Sequence, residues 1–91
     1  MDLYVAGYTD TVGGAGGNQA LSERRAQSIA RWFKSAGFRG NVFFQGFGES
    51  ALAVQTADEV DEPNNRRVVY FLANQPPPPN KDIPRSNWKR I

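Results

Sequence analysis

"GYTDTVGGAGGNQALSERRAQ", residues 7–27, decides the fold. The stretch leaves a short apolar run, Leu3-Tyr4-Val5-Ala6, meets an acid at Asp10 and crosses glycines at 13, 14, 16 and 17. It then enters a segment with apolar residues at helical spacing. An uninterrupted run of β-forming residues predicts a buried strand over residues 2–8. Glycine takes positive φ cheaply, so residues 11–17 read as an adaptable loop. Ser22 is positioned to cap the free amides of a helix, with Glu23 in its first turn and Leu21 stapled against Ala26; Asn18 is the alternative cap, one turn earlier. Ala26, Ile29, Ala30 and Phe33 recur on one side and Arg24, Arg31 and Lys34 on the other. The helix therefore packs by one face, and Gly37 ends it.

Working outward, Val42-Phe43-Phe44-Gln45 predicts a second strand, reached by a crossover long enough for a parallel, right-handed βαβ unit. The polar, acidic residues 51–65 read as a loop with one short helical turn. Arg67-Val68-Val69-Tyr70-Phe71-Leu72 predicts a third strand, antiparallel to a neighbour. The fold class is α/β, a two-layer sandwich of a mixed sheet with the helix of the βαβ unit. Residues 1–74 form this domain. The prolines at 76–79 can join neither a ladder nor a helix, so residues 75–91 read as a basic, polyproline-like tail, extended and flexible. Trp88 is its exception, because a tryptophan in a polar tail often docks.

Composition narrows the chemistry. In 91 residues there is no cysteine and no histidine, which removes thiol nucleophiles, disulfides, the usual zinc sites and histidine-based triads. No metal or cofactor is expected, and no apolar run approaches the roughly 20 residues that span a bilayer. The net charge of +2 is uneven. Up to Ala73, seven Lys/Arg face eight Asp/Glu, leaving −1; from Asn74, four Lys/Arg face Asp82 alone, leaving +3. A nucleic-acid footprint on the domain is not expected.

Three chemistries suit a strand, a glycine-rich turn and a helix start. A phosphate cradle would use the same geometry, but no Gly-Lys-Ser/Thr follows the glycines and the dinucleotide fingerprint is incomplete. A carboxylate pair, Asp10 with Glu49, would sit past the ends of two parallel strands, on the sheet edge where ligands bind. The third reading pairs Asp10 with Arg25, which is placed near the third position of the helix. These two would offer opposite charges to a ligand carrying both an ammonium and a carboxylate, aided by the helix N-terminus. Spacing alone leaves this open against a plain structural bridge between them, or Asp10 capping its own turn.

"GYTDTVG", "NQALSERRAQSIARWF" and "NRRV" together resemble the OmpA-like domain of outer-membrane proteins, peptidoglycan-associated lipoproteins and flagellar motor stators. The likeness runs from about Leu3 to Leu72. It implies non-catalytic binding of the peptide stem of peptidoglycan, at the periplasmic face of the outer membrane, with Asp10 and Arg25 at the positions that grip diaminopimelate. Thr9, Asn18 and Leu21 match positions that line or support the pocket; cap and staple remain equally good readings of Asn18 and Leu21. Arg66 and Arg67 match the pair before the last strand and are expected to be mostly structural, pairing with Asp58, Glu59, Asp61 or Glu62. Tyr8, Phe43, Phe44 and Phe47 are expected in the core or at its rim.

The resemblance also implies a strand and a helix ahead of Leu3, which this chain does not supply, so the domain is expected to be N-terminally incomplete. An open sheet edge follows, and with it a homodimer by sheet extension or exchange of an element. Two alternatives stand beside the wall-binding reading: a protein-interaction module using the sheet edge or proline-rich tail, and a carboxylate-dependent cell-wall hydrolase.

Overall fold

In the computed structural model, which describes residues 1–52 and 63–91, the Leu3-Tyr4-Val5-Ala6 run lies in strand β1 (Asp2–Gly7). Strand β2 (Val42–Gly46) pairs parallel to it, Leu3 opposite Val42; β3 (Val68–Ala73) pairs antiparallel, Gly7 opposite Val68. A short strand, β4 (Lys89–Arg90), adds antiparallel to β2, so the order is β3-β1-β2-β4. The mixed sheet and, among the described residues, one α-helix, Ala15–Ser35, confirm the α/β class. β1 is central, and burial on both faces is why its apolar run is continuous rather than alternating.

Side chains of the strands sort by parity. Leu3, Val5, Val42 and Phe44 form one core cluster with Ala26 and Ala30 of helix α1 (Ala15–Ser35). Ala6 and Tyr8 join Phe47, Ala51 and Ile83 in a second cluster. Tyr4 stacks between Phe43 and Phe71, and both Tyr4 and Phe71 meet Trp88, which packs against that second group.

The helix starts earlier than its sequence predicts. Gly14 is the extended N-cap and makes no side-chain cap, and Gly16 and Gly17 lie in the first turn, closed by the Asn18 N–H on the Gly14 carbonyl. Neither Ser22 nor Asn18 is the cap, and no acid lies in the first turn. Ser22 has tertiary work instead: fully buried, it accepts the Gly48 N–H at 2.8 Å and donates to the Gln19 carbonyl at 2.9 Å. α1 can approach because β1 and β2 both end in glycine. A Cβ at Gly7 would collide with the Ser22 carbonyl oxygen, and one at Gly46 with the Glu23 backbone nitrogen. The other end matches expectation. Gly37, at φ +102, donates to the Lys34 carbonyl and Phe38 to the Phe33 carbonyl, each at 3.1 Å, the paired bonds of a Schellman stop.

The C-terminal segment differs most from expectation. Where the proline run predicts an extended, flexible tail with Trp88 as its docking exception, the chain turns at Asn80, whose Oδ1 accepts the Asp82 and Ile83 N–H groups at 2.8 and 3.0 Å. It then returns as a strap across the sheet face opposite α1. Ile83 is buried, the Tyr8 hydroxyl donates to the Asp82 carbonyl at 2.7 Å, and Trp88 meets Tyr4, Phe47 and Phe71 edge-on. Lys89 pairs with Glu23 at 3.1 Å and Arg85 donates to Gln19 Oε1 at 3.1 Å. Such aromatic contacts contribute roughly 0.5–1.5 kcal/mol each beyond buried area, which orders a segment without helix or long strand. Asp58, Glu59, Asp61 and Glu62 lie outside the described residues. The described end of the predicted 51–65 loop is a 3-10 turn, Pro63–Asn65.

Candidate functional site

Past the end of β1 the backbone is pinned by its neighbours. Tyr8 N–H donates to the Arg67 carbonyl and Thr9 N–H to the Gly48 carbonyl, both at 2.8 Å, so Asp10 is delivered to a fixed place. Its Oδ1 accepts the Val12 N–H at 3.2 Å, an Asx turn that folds the loop back over the carboxylate. Asn18 Nδ2 ties this loop to the helix, reaching the carbonyls of Asp10 at 3.3 Å and Val12 at 2.9 Å and Glu49 Oε2 at 3.2 Å. Asn18 thus supports the site without capping the helix.

Asn18, Leu21 and Arg25 recur at spacings of three and four, one face of α1. With Thr9, Asp10, Val12 and Arg66 they line a cleft of about 250 Å³. All five residues singled out in the sequence meet there. Arg25 also borders two neighbouring hollows, of about 340 Å³ with Arg66, Arg67 and Val68, and about 490 Å³ with Arg24, Ser28, Ile29 and Val68. Arg25 thus borders all three hollows, and Val68 at the start of β3 borders two of them.

The charges within it are arranged differently from the sequence reading. Asp10 Oδ2 accepts Arg66 Nη1 at 2.6 Å, with side-chain exposures of 6% for the acid and 38% for the arginine. Among the described residues no ion pair joins Asp10 to Arg25. Arg25 is exposed and sits well along α1. Ten residues separate it from Ala15, about 15 Å at the helical rise, so the helix N-terminus cannot share an anion with its guanidinium. Thr9 Oγ1 is buried without a hydrogen-bond partner among the described residues.

Arg66 is the site residue that the sequence undervalues. Its signal is register: with Gly7 opposite Val68, residues just before β3 run beside those just after β1. Arg67 has its guanidinium 3.8 Å from the Tyr8 ring centre and donates to the Ala51 carbonyl at 3.2 Å, and the acids expected to pair with it lie outside the described residues. Glu49 is held by Asn18 and lines no part of the cleft. Among the described residues no group of three or more His, Cys, Asp or Glu is placed to hold a metal, and no helix is long and apolar enough to cross a membrane.

Known proteins resemble this chain. It is 38% identical over 71 residues to the sodium-type flagellar protein MotY of Vibrio parahaemolyticus, covering 77% of this chain and 24% of that protein. It is 41% identical over 69 residues to the outer-membrane lipoprotein YfiB of Pseudomonas aeruginosa, covering 75% and 41%. To outer membrane protein A of Shimwellia blattae it is 42% identical over 62 residues, covering 66% and 26%. The chain thus spans less than half the length of each of these relatives. No solved structure matches it significantly. The OmpA family profile matches residues 2–66, and the chain belongs to the OmpA family.

Proposed function

We propose that this domain binds the peptide stem of peptidoglycan without catalysis and so tethers an envelope protein to the cell wall. The observation that carries the reading is the cleft itself: one buried carboxylate, Asp10, shares its lining with two guanidiniums, Arg25 and Arg66. Diaminopimelate suits it, because its amino-acid head offers an ammonium for Asp10 and a carboxylate for Arg25. Thr9 and Leu21 line the walls, and Asn18 holds the loop that shapes them. Charge-assisted bonds of this kind contribute roughly 1.5–3 kcal/mol each when shielded from water. A weak single site still anchors a polymer that repeats its ligand. The relatives' names, an outer-membrane lipoprotein and an outer membrane protein, support an envelope location; within it, the reading proposed here puts the domain at the periplasmic face of the outer membrane.

The test is retention on isolated peptidoglycan by wild type, Asp10→Ala and Arg25→Ala. Both variants should lose retention by tenfold or more while staying folded. Retention equal to wild type in both ends the reading. Soluble wall fragments released by the wild-type protein would favour a hydrolase instead.

A second copy is the partner proposed for the β3 edge. The strand Val68–Ala73 carries no charge and exposes Val69, Tyr70 and Leu72, whereas β2 is already paired to β4. Antiparallel pairing of two β3 strands keeps the Arg66-Arg67 pairs at opposite ends of the ladder, and parallel pairing would oppose them. A monomeric mass at micromolar concentration overturns this.

A further inference from the structure

We propose that the face of α1 and β3 beyond the cleft docks on a membrane, with the surface of an anionic lipid bilayer as its partner. The inference stands apart from the wall-binding reading above and uses none of the cleft residues.

Two elements build this face. Tyr70 and Leu72 lie opposite Val5 and Leu3, which pack on α1, so alternation along β3 turns both toward the helix side of the sheet. Phe33 joins helix to strand, its ring centre 4.9 Å from that of Tyr70 and 5.1 Å from that of Trp32, both edge-on. One turn earlier, Ile29 borders a hollow with Val68. Water still meets 62% of Trp32, 61% of Tyr70, 55% of Leu72 and 36% of Ile29. A single exposed leucine is ordinary, but large apolar side chains gathered in one patch mark an interaction surface.

Charge names the partner. Helix α1 carries Arg24, Arg25, Arg31 and Lys34 against one acid, Glu23, which pairs with Lys89 of β4 at the opposite edge of the sheet from β3. Arg24 and Arg31 are exposed and seven residues apart, on one line of the helix, and Ile29 and Trp32 lie on the line beside it. Guanidiniums flanking exposed apolar side chains suit a bilayer interface. There the apolar groups enter the headgroup boundary, tryptophan sits at its level and the cations meet anionic headgroups. Other occupants fit less well. A second copy laid face to face would set Arg24 and Arg31 against their own images, and a neutral sugar chain would leave them without an anion and gain little from Leu72 and Ile29.

Docking leaves the cleft free, because Trp32 follows Arg25 by seven residues, about 10 Å along the helix. It is also compatible with the second copy proposed at the β3 edge. A twofold axis perpendicular to the sheet keeps both helices on one face and sets two patches side by side.

Co-sedimentation of the full chain with phosphatidylcholine vesicles, with and without about one-third phosphatidylglycerol, tests the proposal. The chain should sediment with the anionic vesicles and lose that binding by roughly tenfold as salt rises from about 0.1 to about 0.5 M. Trp32→Ser should weaken it by about tenfold, and Arg24→Gln combined with Arg31→Gln should abolish the preference for anionic over neutral vesicles. Retention on peptidoglycan should stay as in wild type in both variants, so the two readings fail separately. No binding to anionic vesicles, or equal binding by the variants, overturns the proposal. Loss of peptidoglycan retention in Trp32→Ser without vesicle binding would give the face to the wall polymer, and a fall in solution mass in that variant would give it to a second copy; either result overturns the membrane as partner.

Discussion

Tyr8 shows how a single residue ties the two halves of this molecule. Its ring lies beneath the Arg67 guanidinium, and its hydroxyl donates to the Asp82 carbonyl of the strap. Burial pushes the phenol's pKa above its ordinary value, Arg67 draws it part of the way back, and the charge of Asp82 adds to the rise. A raised folded-state value means that the protonated form is favoured by folding. The contribution is complete below the unfolded value of about 10 and is lost as pH rises through the folded one. Tyr8→Phe should therefore cost about 1 kcal/mol near neutral pH, from the lost hydrogen bond, yet fall less steeply than wild type above about pH 10. Thermal melts at a series of pH values measure both, and parallel alkaline slopes would refute the assignment. Asp10 and Arg25 were legible as cleft residues from local signals, a strand exit and a helix start, and Thr9, Asn18 and Leu21 from the resemblance. Arg66 was not, because its place beside Asp10 depends on the register of two strands about 60 residues apart in sequence.

At the level of elements, the glycines divide into two kinds with opposite expected effects. Gly17 lies in the first turn of α1 with open space where a Cβ would go. Gly17→Ala should stabilise the protein by about 0.5–1 kcal/mol by restricting the unfolded chain. Gly46 is the contact between β2 and the helix backbone, so Gly46→Ala should destabilise by about 1–3 kcal/mol through forced separation of the layers. Urea titration of the two variants tests the contrast, and a loss in both would show that the first turn also needs its glycines. The same helix marks a limit of sequence reading. Ser22-Glu23 has the chemistry of a helix start, and a glycine run that of a loop. The hydroxyl was claimed instead by the Gly48 N–H, a partner from another element that no local pattern reveals. The three principal strands were legible, since apolar run length and the intervening crossover specify them without reference to partners.

For the whole molecule, the strap is what turns a one-sided sheet into a closed one. Trp88→Ala removes the ring that meets Tyr4, Phe47 and Phe71, and should cost about 3 kcal/mol, read as a lower urea midpoint. An unchanged midpoint would mean that the segment contributes nothing to the fold. Proline-rich composition reports correctly that residues 76–79 make no regular element. It is silent on where the chain lands afterwards, which depends on an aromatic surface assembled from three strands.

The placement of β1 has a mechanical consequence. A pull exerted between the start of this strand and a polymer gripped at Asp10 would run along the strand axis, with β2 on one flank and β3 on the other. Both ladders would then be strained in shear, their bonds sharing the force together rather than peeling one after another. Under tension, the grip should give way before the fold does.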